Sequence, residues 1–280
     1  MIFLKSFELL SKATEESLLK KIKGKYQENI YPFGLFPTKN IQTINLQNIT
    51  IFYGNNGSGK STLLNIIAEK IKATRKQKFG NNKYFNQYVE NCYSIFPEAP
   101  KEIRIITSDD VFDFLFDIRS INKEVNEIRR DLAGEYKLRR GGRIKGFYEY
   151  NEIKRRVVRY DTQSSFIRNK LNNNLNEQSN GESALIYFQN TIKENGIYLL
   201  DEPENSLSAA FQLKLMKFIE ESARFFDCQF IISTHSPFLL SLRNSVIYNL
   251  DDPENVNVKW SDLPNVKAYY EFFKKHEGRF

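Results

Sequence analysis

The stretch Gly54–Thr62, GNNGSGKST, follows the apolar run Ile49–Tyr53 and precedes a segment of helical character, Leu63–Lys72. It matches the pattern G-x-x-x-x-G-K-[ST] in full, between a predicted strand and a predicted helix. Glycines allow successive backbone N–H groups to point inward at a phosphate, and the helix N-terminus adds partial positive charge. We therefore expect this loop to bind the phosphates of a nucleotide.

The side chains of the loop have separate expected roles. Lys60 is expected to reach the β- and γ-phosphates and to act in catalysis, and the Ser61 hydroxyl is expected to coordinate Mg²⁺. The predicted nucleotide-binding residues here are Asn55, Asn56, Gly57, Ser58, Gly59, Lys60, Ser61 and Thr62.

Composition limits the class of protein. The 280 residues suffice for one large domain or for a domain with an inserted lobe. Cys92 and Cys228 lie far apart and in no metal-ligand spacing, which favours a reducing compartment. No apolar run approaches the roughly 18 residues that a membrane span needs, and the opening sequence does not fit a signal peptide. We therefore expect a soluble, cytoplasmic protein without a membrane span.

The net charge of +7 is concentrated in residues 119–170, which contain 15 Lys and Arg against 7 Asp and Glu. A basic segment of this kind suits an anionic partner such as DNA or RNA. The alternative interpretation is a solvated helical face whose basic residues project into water. The sequence leaves both interpretations open.

Predicted strands alternate with predicted helices, which indicates an α/β fold with a mainly parallel core sheet and flanking helices. We expect an antiparallel edge in addition, and Ile2–Leu9 is interpreted as an edge strand. Residues 1–280 are interpreted as a single domain, and residues 109–195 as a helical lobe inserted within it. The lobe would contain the basic segment and a helix that starts at residue 179.

Polar residues follow two further predicted strands. Asp201 and Glu202 follow the apolar run Ile197–Leu200, and His235 follows Phe230–Ile232. Ligands of open α/β sheets bind outside the carboxyl ends of the strands, so these side chains are expected at the site. Asp201 is placed to hold Mg²⁺, and Glu202 to take a proton from the attacking water. His235 is expected to contact the γ-phosphate or that water.

Ser179–Glu182, SNGE, opens a predicted helix with the spacing of a capping box. One interpretation is an ordinary helix cap. The other is an anion site formed by N–H groups at the helix N-terminus, which would serve a phosphate held by a second subunit.

The order of these motifs is phosphate loop, helical lobe, S-N-G-E, an apolar strand ending in D-E-P-E, and then S-T-H. This order resembles that of the ATP-binding-cassette (ABC) ATPases, from about Ile2 to Leu250. The D-E-P-E and S-T-H-S-P forms look most like the soluble branch related to RecF, SMC and OLD proteins. The chain is also similar to short stand-alone bacterial ATPases of the AAA family, some of which, as in Septu-type systems, accompany antiphage nucleases.

The resemblance implies a Mg²⁺-dependent ATPase that forms ADP and phosphate. It implies that two copies sandwich two ATP molecules head to tail, and that Ser179, Asn180, Gly181 and Glu182 contact the γ-phosphate held by the other copy. It further implies a cycle used on a nucleic acid or a partner protein, such as a nuclease or another effector, in DNA repair or antiphage defence. The alternative is the ATP-binding subunit of a membrane ABC transporter.

One position departs from the family pattern. The family usually has a Gln that senses Mg²⁺ after the strand that follows the phosphate-loop helix, whereas this chain has Ser108-Asp109-Asp110 there. Either Ser108 or Asp109 substitutes for it, or the coupling to the helical lobe differs.

Overall fold

The computed structural model describes residues 1–21, 30–39, 41–77, 79–80, 82–120, 180–252 and 258–279. The chain divides into two compact units, Met1–Phe112 with Asn180–Phe280 as one and Asp113–Ser179 as the other. Apart from Arg119 and Ser120, the predicted basic segment 119–170 lies outside the described residues. The predicted lobe at 109–195 therefore stays a prediction.

Strands and helices alternate through most of the first unit. The strands within the described ranges are β1 (Ser6–Glu8), β2 (Thr43–Asn45), β3 (Ile49–Tyr53), β4 (Tyr93–Ile95), β5 (Glu102–Thr107), β6 (Gly196–Asp201), β7 (Gln229–Ser233) and β8 (Ser245–Asn249). The helices among the described residues are α1 (Lys12–Lys21), α2 (Lys60–Lys70), α3 (Lys83–Asn91), α4 (108–120, of which 108–112 belong to the first unit), α5 (Asn180–Thr191), α6 (Ala209–Phe225), α7 (Pro237–Leu240) and α8 (Pro264–Lys275). Short 3-10 turns occupy Pro37–Lys39, Pro203–Ser206, Trp260–Asp262 and Glu277–Arg279.

The core of the fold is a five-stranded sheet in the order β5-β6-β7-β3-β8. All of its strand pairs are parallel. Every residue of β3 and β7 is buried, as expected for strands covered on both faces. The predicted α/β fold with a mainly parallel core sheet is thereby confirmed.

The antiparallel part of the fold is a separate three-stranded sheet in the order β2-β1-β4. The prediction of an edge strand at Ile2–Leu9 is wrong, because β1 is the central strand. Ser6 lies opposite Asn45 on one side and opposite Ile95 on the other. The second partner, β4, has three residues, of which the first and last are exposed. Such a short segment without an apolar run gives little indication of a strand in the sequence, so the pairing on this side of β1 was not predicted.

Gln229, at the start of β7, ties the first residues of the chain to the core. Its side chain is fully buried. The Oε1 atom accepts hydrogen bonds from the backbone N–H groups of Phe3 (3.0 Å) and Leu4 (2.8 Å). The Nε2 group donates to the carbonyls of Leu4 (2.8 Å) and Gln47 (3.0 Å). One amide side chain thus satisfies four backbone groups, three of them in buried hydrogen bonds.

Candidate active site

The phosphate loop connects β3 to α2 in a conformation that depends on glycine. Gly57 and Gly59 have φ angles of +81° and +96°, in the left-handed region. Gly59 precedes α2, and no side chain among the described residues caps that helix start. The first N–H groups of α2 are therefore available to an anion, because the helix itself provides them with no partner.

Lys60 is buried beneath the loop and bonded to its backbone. The Nζ group donates to the carbonyls of Gly54 (2.8 Å) and Asn55 (3.2 Å). Burial lowers the pKa of the Lys60 amine, and the carboxylates of Glu202 and Asp201 oppose that shift. The ammonium group is thus held at the base of the loop, close to two acidic side chains that the sequence places far away.

Asp201 lies at the carboxyl end of β6, where two hydroxyl groups converge on it. Ser61 Oγ donates to Asp201 Oδ1 at 2.9 Å, and Ser233 Oγ donates to the same oxygen. Burial raises the pKa of the Asp201 carboxyl, and the hydrogen bonds from Ser233 and Ser61 oppose the shift. The structure therefore brings together the two residues that the sequence assigns to Mg²⁺, Ser61 and Asp201.

Glu202 has a left-handed backbone with φ +46° and ψ +54°. This region is uncommon for residues other than glycine and is a feature of many functional sites. The Glu202 N–H donates to the Ser233 carbonyl at 2.9 Å. Asn205 Nδ2 donates to Glu202 Oε2 at 2.9 Å, which leaves Oε1 directed at His235.

His235 follows β7 at the same edge of the sheet. Its Nε2 atom lies 3.6 Å from Glu202 Oε1, longer than a hydrogen bond, and this buried nitrogen has no hydrogen-bond partner among the described residues. Burial lowers the pKa of the His235 imidazole, and the positive charge of Lys60 lowers it further, while Glu202 opposes the shift. The His235 imidazole and the Glu202 carboxylate thus lie side by side at this edge of the sheet.

The predicted signature residues fall partly within the described chain. Ser179 lies outside it, whereas Asn180, Gly181 and Glu182 form the first turn of α5. A Cβ atom on Gly181 would lie 2.5 Å from Cδ2 of Phe211, a residue of α6. Glycine is therefore needed at this point for the close packing of α5 on α6. The proposed contact with a second copy stays a prediction.

Two residues at this edge, Glu204 and Asp251, have no role predicted from the sequence. Glu204 accepts hydrogen bonds from the loop that contains His235. Asp251 Oδ2 accepts a hydrogen bond from the Asn55 N–H at 2.6 Å, and so holds the start of the phosphate loop. The hydroxyl groups of Tyr31 and Thr62 are hydrogen-bonded. Glu204 is part of the D-E-P-E motif, and that motif is the signal in the sequence that points to it.

These residues fit a nucleoside triphosphate and a divalent cation. Hydroxyl and carboxylate oxygens, as on Ser61 and Asp201, are the ligands that Mg²⁺ prefers. Ser58 Oγ, in the phosphate loop, and His235 Nε2 are buried polar atoms with no partner in the described part of the chain. Buried polar atoms are nearly always hydrogen-bonded in native proteins, so both positions favour a ligand.

The sequence match agrees with this geometry. A family model described as "ABC transporter" matches residues 40–205, more than half of the chain. The chain belongs to the ABC family. It is accordingly an ATP-binding cassette, and the resemblance to ABC-class ATPases drawn from its motifs is confirmed. Members of this family bind ATP, generally with Mg²⁺, and generally hydrolyse it.

The cassette has further similarities to known proteins. A model described as "AAA domain, putative AbiEii toxin, Type IV TA system" matches residues 179–241. The "Tungstate uptake system ATP-binding protein TupC" of Campylobacter jejuni is 28% identical over 255 residues, which cover 84% of this chain and 68% of that protein.

Among solved structures, the cassette is similar to the SMC head domain from Thermotoga maritima, with 14% identity, a TM-score of 0.40, and coverage of 89% of this chain and 94% of that one. It is also similar to a dimeric ATP-binding cassette in a post-hydrolysis state bound to ADP and phosphate, with 14% identity, a TM-score of 0.38, and coverage of 91% and 97%. At such scores the likeness carries no argument about assembly or function.

In the described part of the cassette, no helix has both the length and the apolar character required to cross a membrane.

Proposed function

We propose that the cassette hydrolyses ATP to ADP and phosphate and that two copies pair head to tail around two ATP molecules. The observation that carries the proposal is the arrangement of Glu202 and His235, whose side chains face each other 3.6 Å apart at the carboxyl ends of adjacent strands. Ser61, in the phosphate loop, donates to Asp201, the residue before Glu202, so the phosphate loop belongs to the same site.

The proposed reaction is attack of water on the γ-phosphorus. A new P–O bond forms, the bond to the oxygen bridging the β- and γ-phosphorus breaks, and ADP leaves with that oxygen. Glu202 accepts the proton of the attacking water, and His235 orients the water or the γ-phosphate. Lys60 and the N–H groups at the start of α2 neutralise charge on the transferred phosphoryl group. Ser61 and Asp201 would hold Mg²⁺, which supplies further charge neutralisation when bound.

The packing of α5 supports the pairing of two copies. Asn180–Glu182 is a helix N-terminus, which favours an anion. The contact of Gly181 with Phe211 fixes this helix against α6, which follows the turn Pro203–Ser206. Each copy would thus present α5 to the γ-phosphate of the other copy from a rigidly packed position.

Under this proposal, ATP binding and hydrolysis by the cassette act on one of two kinds of partner. The similarity to a tungstate-uptake protein favours a role as the ATP-binding subunit of a transporter. The excess of basic residues in 119–170 favours a nucleic acid as the partner. Copurification with a membrane protein would support the first role, and binding of short DNA or RNA with a steep salt dependence would support the second.

The test is the mass in solution of Glu202→Gln with and without ATP and Mg²⁺. Removal of the general base leaves the nucleotide contacts in place, so we expect this variant to bind ATP without turnover and to shift from monomer to dimer. Glu202→Gln combined with Lys60→Ala is the matched control and should not shift, because it lacks the phosphate-binding ammonium. A Glu202→Gln protein that stays monomeric at saturating ATP would exclude the head-to-tail pairing.

Phosphate release by the wild-type protein tests hydrolysis separately. We expect Mg²⁺-dependent release that is lost in Lys60→Ala together with ATP binding. Undiminished ATP affinity in Lys60→Ala would contradict the assignment of the site.

A further inference from the structure

Glu204 makes a concentrated set of hydrogen bonds beside the proposed catalytic pair. Its Oε1 atom accepts from Thr234 Oγ1 at 2.6 Å, from the His235 N–H at 2.7 Å and from the Ser236 N–H at 3.0 Å. Thr234 is fully buried and Ser236 is 5% exposed, so these bonds are shielded from water. One carboxylate oxygen thus holds three successive residues of the loop that follows β7.

The same loop is fixed from other directions. Asn265 Nδ2, on α8, donates to the His235 carbonyl at 2.7 Å. The Thr234 N–H donates to the carbonyl of Phe52 in β3. The backbone of His235 is therefore bonded on both sides, whereas its ring nitrogen Nε2 has no hydrogen-bond partner among the described residues. The position of the imidazole depends on these backbone bonds.

Glu204 also connects His235 to Glu202 through the chain. Glu204 belongs to the turn Pro203–Ser206, which begins directly after Glu202. Within that turn, Asn205 donates its side-chain N–H to the Glu202 carboxylate and its backbone N–H to the Glu202 carbonyl. The turn thus binds Glu202 through Asn205 and the His235 backbone through Glu204.

We propose that Glu204 is a positioning residue that sets the distance between the Glu202 carboxylate and the His235 imidazole. The inference rests on the proposed ATPase function and adds a residue to it. Glu204 does not touch the reacting atoms; it acts through His235. Charge-assisted hydrogen bonds to a carboxylate are short and strong, and a misplacement of about 1 Å at a reacting group can lower a rate about 100-fold.

The test compares Glu204→Ala and Glu204→Gln by turnover, ATP affinity and thermal unfolding. Gln keeps an oxygen for the three donors, and its amide replaces Oε2, which has no hydrogen-bond partner in the described chain. We expect Glu204→Ala to lower kcat about 100-fold with little change in ATP affinity, and Glu204→Gln to restore most of the rate. Asn265→Ala should produce a smaller loss of kcat of the same kind, and provides a second route if Glu204→Ala does not fold.

A double-variant comparison separates positioning from general destabilisation. If Glu204 acts through His235, Glu204→Ala should change kcat only a few-fold when His235 is already Ala, since residues that act as one unit are not additive. Full additivity of the two losses, or parallel losses of ATP affinity and thermal stability in Glu204→Ala and Glu204→Gln alike, would overturn the inference. A wild-type protein that releases no phosphate would instead overturn the proposed function, and the inference with it.

Discussion

Substitution of Gly181 by Ala tests the packing of α5 on α6. A Cβ atom at this position would lie 2.5, 2.9 and 3.0 Å from three ring atoms of Phe211. Carbon atoms in favourable contact lie about 3.5–4.0 Å apart, so the new methyl group overlaps the ring by about 1 Å. One of the three atoms is Cγ, which lies at the base of the ring, so the helices must separate or the ring must leave its place.

The expected cost follows from two opposing effects. Overpacking of this kind destabilises a protein by about 1–3 kcal/mol, whereas Gly to Ala in a helix stabilises it by up to about 1 kcal/mol. We therefore expect Gly181→Ala to lower the free energy of unfolding by up to about 2 kcal/mol, with a central value of about 1 kcal/mol. When Phe211 is also Ala, the overlap is gone, and Gly181→Ala should raise the free energy of unfolding by a few tenths to about 1 kcal/mol.

The assay is urea unfolding, monitored by far-UV circular dichroism and carried out without nucleotide. It compares the wild-type protein, Gly181→Ala, Phe211→Ala and the double variant. Nucleotide is left out so that no contact with a second copy contributes. Gly278→Ala is the matched control, because a Cβ atom there would meet nothing within 4 Å. Equal destabilisation by Gly181→Ala with Phe211 present and absent would refute the steric account of this glycine.

Two further predictions concern buried polar groups. Gln229→Leu should lower the free energy of unfolding by about 2–5 kcal/mol in urea titrations, because the buried N–H groups of Phe3 and Leu4 lose their acceptor; a change under about 0.5 kcal/mol would mean that water replaces the amide. The pKa of His235 is lowered in the folded protein, so the unfolded chain binds the proton more readily as the pH falls below about 6.5. The free energy of unfolding therefore decreases as the pH falls. His235→Gln should flatten that decrease between about pH 7 and 5, and an unchanged slope would assign it to other groups.

Much of the parallel core could be predicted because its strands are short apolar runs that end in polar residues. The predicted strand at Ile49–Tyr53 agrees with β3, and the predicted run Ile197–Leu200 lies within β6. Parallel strands bring their carboxyl ends to one edge, which is why the sequence alone predicts Asp201, Glu202 and His235 near the phosphate loop. For these elements, the apolar pattern of the sequence and the parallel arrangement of the strands were sufficient to predict the position of the site residues.

Other elements depend on tertiary contacts. The sequence does not predict the helix α3, because Lys83–Asn91 lies almost entirely within the basic, amide-rich stretch 73–90, in which Gly80, Asn81 and Asn82 indicate a turn. Its apolar residues Phe85, Tyr88 and Val89 are nevertheless buried at helical spacing, and Asn82 accepts a hydrogen bond from the Phe85 N–H at 2.8 Å. The role of Glu204 was hidden for a different reason, since its partners lie about thirty residues further along the chain.

The strand order has a consequence for the dimensions of the site. β7 lies between β6, which carries Asp201, and β3, which leads into the phosphate loop. Neighbouring strands are about 4.8 Å apart, so the backbones of β6 and β3 are held about 10 Å apart by one intervening strand. That interval is fixed by the ladder of backbone hydrogen bonds and is independent of loop length. The sequence between β5 and β6 can therefore vary widely in length and charge without altering the gap in which a phosphate and a cation would be held.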